Sequence, residues 1–259
     1  MFLWIESHHT SVIAIILFVF WYGFAAIILF VVGMVEEKIA RTHLKPTTPS
    51  MLTPLSLVAG LLIVFLASRV WTNLDHANTY VANEASALRE GVMLADSLPP
   101  AVRTDVKNRI TDYLAFVDSR DWPAMARGKA NLHDLPPDLP QAIAELLAFR
   151  PQTPGQQIAQ KRAVVAIEQA LAARRSRILL SEAAIGPIQW IAVFVLCALV
   201  LVTIAMIHVD TRVTSAINLF IFATAISVCL LILMVNDRPY APGGNTVTPH
   251  ALHELNSLG

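Results

Sequence analysis

The sequence predicts an all-α integral membrane protein with four transmembrane helices and a helical region inserted between the second and the third. Three observations predict it. Only 15% of the 259 residues are charged and 55% are hydrophobic, whereas soluble domains carry about 25% charge. The charge is segregated, so that residues 10–35, 51–68, 183–209 and 213–236 contain no Asp, Glu, Lys or Arg. No segment alternates apolar and polar residues with the period of two that a half-buried strand requires. A mean hydropathy of +0.57 fits neither an ordinary soluble enzyme nor a disordered chain. Nineteen basic residues balance nineteen acidic ones, leaving no net field to attract nucleic acid. Cys197 and Cys229 both lie inside apolar blocks, and they form neither a disulfide framework nor a metal-binding spacing.

A membrane helix needs about 20 mostly apolar residues. The first block exceeds that length. Glu6 rather than a basic residue flanks it, and no small-x-small site follows, so it reads as a membrane helix and not as a cleavable signal. The second block, residues 51–68, is just long enough. No proline interrupts residues 69–95, so this helix is expected to leave the membrane still helical. Pro99-Pro100 then breaks the chain. Val102, Val106, Ile110, Tyr113 and Val117 recur at the spacing of one helix face. Asp121-Trp122-Pro123 reads as a turn, and residues 132–140, with three prolines, read as a connector. Ile143, Leu146 and Leu147 mark a short helix, which residues 150–155 stop. A last helix runs from about Gln157 toward the third membrane block.

The expected organisation is residues 1–68 for the first two membrane helices, 69–182 for a helical cytoplasmic region, 183–236 for the last two membrane helices and 237–259 for a cytoplasmic tail. The orientation follows from basic residues near the membrane ends. Lys38, Arg41, Lys45 and Arg212 lie on one side. Arg69, Arg89, Lys161, Arg162, Arg174, Arg175, Arg177 and Arg238 lie on the other, which places both termini in the cytoplasm of a multi-pass inner-membrane protein. Trp4, Trp21, Tyr22, Trp71 and Trp190 stand mostly near block ends, as an aromatic belt would. Ionisable groups at membrane depth mark pumps and ion-coupled transporters. Their absence from all four blocks leaves a passive pore, an anchor or a helix-packing subunit.

The second block and its exit read Pro54-Leu-Ser56-Leu-Val58-Ala-Gly60, then Arg69-Val-Trp71. The third opens Ile185-Gly-Pro187-Ile-Gln-Trp190, and the fourth is followed by Asn236-Asp-Arg-Pro239-Tyr240-Ala-Pro-Gly243. With Asn83-Glu84-Ala85, Leu98-Pro99, Arg109, Tyr113 and Asp121-Trp122-Pro123 between them, these segments resemble the bacterial bestrophin-like domain proteins over roughly residues 54–249. Pro54, Gly60, Arg69, Trp71, Pro187 and Pro239 are the structural positions of that resemblance.

The resemblance implies a ring of subunits, most often five, conducting small inorganic ions. Bestrophins are mostly anion channels, with some bacterial members passing cations, so anion conduction is the expectation. It also implies that the second helix lines the pore, with a narrow neck at Thr53, Leu57 and Leu61. The residues agree: Thr53, Leu57, Leu61, Val64 and Ser68 share one helical face, and a ring of leucines can gate by dewetting. The same leucines could instead face lipid or a neighbouring helix. After Pro239 the acidic run of eukaryotic bestrophins is replaced by Ala-Pro-Gly-Gly-Asn-Thr. Asp237 alone cannot supply the six to eight oxygens a calcium ion takes, so calcium gating is not expected.

No cofactor, metal site or catalytic constellation is expected. His8-His9, His208 with Asp210, and His250 with His253 and Glu254 lack a third ligand at any known spacing and read as solvated histidines. Arg174-Arg175-Ser176-Arg177 reads as an anchor on anionic headgroups, with an anion-attracting vestibule as the alternative. Glu84, Arg89, Arg109, Asp112 and Asp121 read as surface ion pairs of small worth, with the lining of a pore mouth as the alternative. Two functions remain: an oligomeric ion channel, or a non-conducting scaffold or accessory subunit of a larger membrane complex that binds a partner through its cytoplasmic helices.

Overall fold

The computed structural model describes residues 10–39, 49–208, 211–242 and 246–255, the side chains of 36–39 and 49 excepted. The readings made on Trp4, Glu6, His8, His9, Arg41, Lys45, Asp210 and residues 243–245 lie outside the described residues, and the one on Lys38 falls on a side chain that is not described. All regular structure among the described residues is helical. In chain order the helices are α1 (Thr10–Ile39), α2 (Leu52–Ala95), α3 (Pro100–Phe116), α4 (Trp122–Ala126), α5 (Asp138–Ala148), α6 (Pro154–Ser181), α7 (Pro187–Ile207), α8 (Arg212–Asn236) and α9 (His250–His253). Four of them, α1, α2, α7 and α8, are long and apolar enough to cross a membrane.

The chain divides into two compact units. The first comprises Met1–Trp71 and Ile185–Asp237 and holds α1, the start of α2, α7 and α8. Ile13, Leu17, Trp21, Ala25 and Ile28, about one turn apart along α1, are all buried. They meet a core that includes Val193, Cys197 and Val200 of α7 and Leu219, Ala223 and Leu230 of α8. Lipid gives helices no hydrophobic reason to associate, so close contact between small residues carries the packing; Ala25, Ala205 and Ala223 are fully buried. Tyr22 Oη lies 2.9 Å from Thr224 Oγ1, an interhelical hydrogen bond of the kind apolar surroundings favour. Trp21 and Trp190 are each 1% exposed, and the Trp21 ring stacks on Phe194 at 5.4 Å. These two tryptophans therefore fill the helix core and not an interfacial belt, because their bulk seals the spaces that small neighbours leave.

The second unit comprises Thr72–Ala184 and Arg238–Gly259. The rest of α2 packs here with α3, α5 and α6. Alanines carry the buried edge of α6 at Ala159, Ala163, Ala166, Ala170 and Ala173. Their spacing of three to four residues lets neighbouring helices approach closely. Pro100 and Pro154 each sit in the first turn of their helix, where a missing N–H costs nothing. Thr153 caps α6 by accepting from the Gln156 N–H.

Two local readings need correction. Asp121-Trp122-Pro123 is not a turn. Residues Val117–Asp121 form a π-helical stretch that continues α3 directly into α4, and Pro123, in the first turn of α4, is tolerated there. The connector ends earlier than its three prolines suggest, because α5 starts at Asp138 and accommodates Pro140 in its first turn. The real break between α4 and α5 includes Gly128, whose φ of +62° side-chain-bearing residues seldom adopt. A Cβ there would come within 2.7 Å of the Arg238 guanidinium.

Candidate functional site

Two arrangements of side chains stand out, one on α2 in each unit. In the first unit α2 has an inward and an outward face. Ala59, Leu66 and Val70 point into the core at 5%, 3% and 1% exposure. Thr53, Leu57, Leu61, Val64 and Ser68, all proposed from sequence, are exposed on the other side. Leu57, Leu61 and Val64 retain 61%, 50% and 62% of their surface. Among the described residues, therefore, nothing buries this row. Gly60 lies beside it, and a Cβ on Gly60 would meet nothing within 4 Å, so packing inside the chain does not require glycine there.

The motif residues Arg69, Ile185–Gln189 and Asp237 gather at the entry of α7. Arg69 Nη1 donates to Gln189 Oε1 at 3.2 Å, and the same oxygen accepts the Gly186 N–H at 3.0 Å. Pro187 opens α7. Both carboxylate oxygens of Asp237, which is 1% exposed, accept the Ile185 N–H at 3.0 and 3.1 Å. Asp237 thus ties the end of α8 to the entry of α7, and its oxygens are engaged by the backbone. Trp71 is 46% exposed. Pro54 stands exposed in the first turn of α2. Pro239 belongs to the second unit, where its carbonyl accepts the Val247 N–H at 2.8 Å.

The second arrangement is a buried ion network. Arg177 Nε and Nη2 donate to the two Glu84 carboxylate oxygens at 2.7 and 3.0 Å, and Tyr113 Oη donates to the same carboxylate. Arg174 holds Asp121 with two bonds of 2.7 and 2.9 Å and also reaches the Asp134 carbonyl. Arg177 Nη2 lies 3.5 Å from Asp121, which links the two pairs, and its guanidinium stands 5.3 Å from the Trp122 ring centroid. Glu84 and Arg177 are fully buried, and the Arg174 and Asp121 side chains are 2% and 6% exposed. Two cations and two anions cancel, and the forked geometry satisfies guanidinium and carboxylate together. Burial, reinforced by the charge of Glu84, holds the Tyr113 hydroxyl well above its usual pKa, so it stays protonated and donating.

This network overturns two expectations from the sequence. Glu84 and Asp121 are not surface pairs, and Arg174 and Arg177 are not headgroup anchors; in that tetrapeptide Arg175 is exposed. The expectation holds better elsewhere. Arg109 meets Glu145 at 3.0 Å in a half-exposed pair, Arg89 meets Glu254 at 3.5 Å on the surface, and Asp112 is exposed. The signal that could have found the network is periodic. Glu84 occupies a helical position between the buried Ala77, Val81 and Leu88, and Arg174 and Arg177 are three residues apart, on one face. His253 pairs with Asp118 at 2.8 Å and His250 with Glu254 at 3.4 Å, both on the surface.

A family model described as the bestrophin-like domain matches residues 19–252. Crystal structures of a bacterial bestrophin homologue from Klebsiella pneumoniae share the fold. One point mutant matches at TM-score 0.68 and 14% identity, covering 95% of this chain and 96% of that one. Another matches at TM-score 0.70 and 12% identity over 94% and 95%. A structure of the same homologue phased with zinc matches at 0.69 and 13% over 94% and 95%. No curated protein matches the sequence.

Proposed function

Because the chain belongs to the bestrophin-like domain family, we propose that it is an oligomeric ion channel whose passage is lined by the outward face of α2. The observation that carries this reading is the row Thr53, Leu57, Leu61, Val64 and Ser68, left exposed while the opposite face of the same helix is buried. One four-helix chain encloses no ion path of this kind. Identical subunits around an axis do, and cyclic symmetry is their usual arrangement. The family resemblance favours five. In such a ring Leu57 and Leu61 form two apolar girdles about one turn apart, roughly 5.4 Å along the helix, and a girdle without polar atoms excludes ions by dewetting.

Native mass spectrometry in detergent, paired with ion flux into liposomes, tests the reading. A closed ring that carries ions is expected, and a stable monomer or dimer removes both ring and pore. A single copy found inside a larger complex would favour the accessory-subunit reading. That alternative has its own support in a shallow, mainly apolar cleft of about 680 Å³ on the second unit, lined by Leu147, Phe149, Val164 and Val165.

The distribution of basic residues supports an inner-membrane protein with both termini and residues 69–182 in the cytoplasm. Ser97 is exposed, so Ser97→Cys gives a direct check. An impermeant thiol reagent should leave it unlabelled in intact cells and label it once the membrane is opened. Strong labelling from outside inverts the topology.

A further inference from the structure

The cleft of about 680 Å³ on the second unit lies along the joint between α5 and α6, lined by Leu147 to Pro151 and by the first turns of α6. Its shape is fixed by glutamine side chains. Gln160 Nε2 donates to the Leu146 and Phe149 carbonyls at 2.6 and 2.8 Å, at the end of α5 where helical partners run out. The Gln152 N–H donates to Gln156 Oε1 at 2.8 Å, which pins the joint to α6. Leu147, Phe149, Val164 and Val165 make the floor apolar. Leu147 and Val165 keep 65% and 49% of their surface, and nothing among the described residues covers it.

The rim carries charge of one sign. Arg150 and Lys161 line the cleft and are exposed, and no acidic residue lines it. Among the described residues no ion pair is found for either cation. The acids closest by are engaged elsewhere, Glu145 with Arg109 at 3.0 Å and Glu90 with Arg162 at 2.8 Å. The cleft also adjoins the N-terminal turns of α6, the positive end of that helix.

We propose that this cleft binds a free alkyl carboxylate, a single hydrocarbon chain with one anionic head. The chain covers the apolar floor, and the carboxylate meets Arg150 and Lys161 through charge-assisted hydrogen bonds. An apolar body with a few placed polar groups, in a volume of about 300–1,000 Å³, is the usual make-up of a small-molecule site. From Gln157 to Val165 the cleft follows α6 for about 12 Å, which suits an extended chain. Neither α5 nor α6 is among the helices apolar enough to cross a membrane, so a free amphiphile fits this place better than a bilayer lipid. The inference holds whether or not the chain conducts ions.

A diazirine-bearing analogue of decanoate tests it on the full chain in detergent, with labelled peptides mapped by mass spectrometry. Label on the membrane-spanning helices gives the reference for partition into the micelle. In the wild type, label should concentrate in residues 147–165. Excess decanoate should remove it. Decylammonium, with the same chain and the opposite charge, should not, and neither should acetate, which is too short to cover the floor. Reversing both cations (Arg150→Glu with Lys161→Glu) should cut the cleft label at least about fivefold, and Val165→Asp should do the same. Thermal midpoints should stay unchanged, because all three side chains are exposed. Displacement by decylammonium equal to that by decanoate, or cleft label unchanged in either variant, overturns the anion site. Label confined to the membrane-spanning helices overturns it as well and leaves the cleft to a partner protein.

Discussion

Replacing Arg177 with alanine should lower the stability of the second unit by about 3–5 kcal/mol, the usual cost of stranding a buried charge whose partner has been removed. Glu84 would lose two charged hydrogen bonds and keep only the Tyr113 hydroxyl. It has no exposure to water with which to recover the difference. Asp121 would also lose the second of its two guanidinium neighbours. Native domains hold only about 5–15 kcal/mol in all, so the thermal midpoint should fall by about 10 °C or more. Glu84→Leu alone should be costly for the mirror reason. The double variant Arg177→Met with Glu84→Leu should recover part of the loss, because replacing a whole buried pair with apolar side chains is often close to neutral. Thermal unfolding of the wild type, Arg177→Met, Glu84→Leu and the double variant closes the cycle. A loss below about 1 kcal/mol for Arg177→Ala, the scale of a surface pair, would mean that water reaches the network.

Leu57→Ala combined with Leu61→Ala should raise ion flux several-fold while moving stability by less than about 0.5 kcal/mol, the range typical of exposed positions. Truncating a leucine packed between helices opens a cavity and costs about 2–5 kcal/mol. Among the described residues nothing buries either side chain enough for that, since 61% and 50% of their surface is free. If the two rings form the neck, the smaller side chains widen and wet it. Liposome flux and a thermal melt on the same preparation separate the readings. Higher flux with an unchanged melt supports a pore-lining row. A large loss of stability without flux places the leucines in a contact between copies and removes the neck from α2.

The sequence made the helices legible because membrane segments advertise themselves by length and by lack of charge. The absence of proline between residues 69 and 95 likewise predicts that α2 continues to Ala95. Spacing made it legible that Thr53, Leu57, Leu61, Val64 and Ser68 share a face on any helix, but the family resemblance singled that face out, and spacing alone did not say that it points outward. Burial of charge was legible only as a periodic hint, Glu84 falling in register with Ala77, Val81 and Leu88, and its pairing was not legible at all. An Asp or Glu at an apolar helical position looks like a solvated residue until its partner is known, and Arg177 is 93 residues from Glu84. The turn assigned to Asp121-Trp122-Pro123 failed for a related reason. Pro123 is a breaker within a helix but acceptable in a first turn, and the π-helical stretch before it has no compositional signature.

That long separation also sets a schedule. During synthesis Glu84 leaves the ribosome well before Arg177 exists, and at about 5–20 residues per second the wait is of the order of 5–20 seconds. Asp121 waits for Arg174 across 53 residues. In that interval the two carboxylates lack the guanidinium partners they have in the folded unit, and burying them unpaired is costly, so the segments around them stay open to water. The second unit is therefore finished late, by α6 and then by the tail that carries Leu252 and Leu255 into its core. A nascent chain that stalls before α6 is complete exposes unpaired acids and bare alanine edges to the quality-control machinery of the cell.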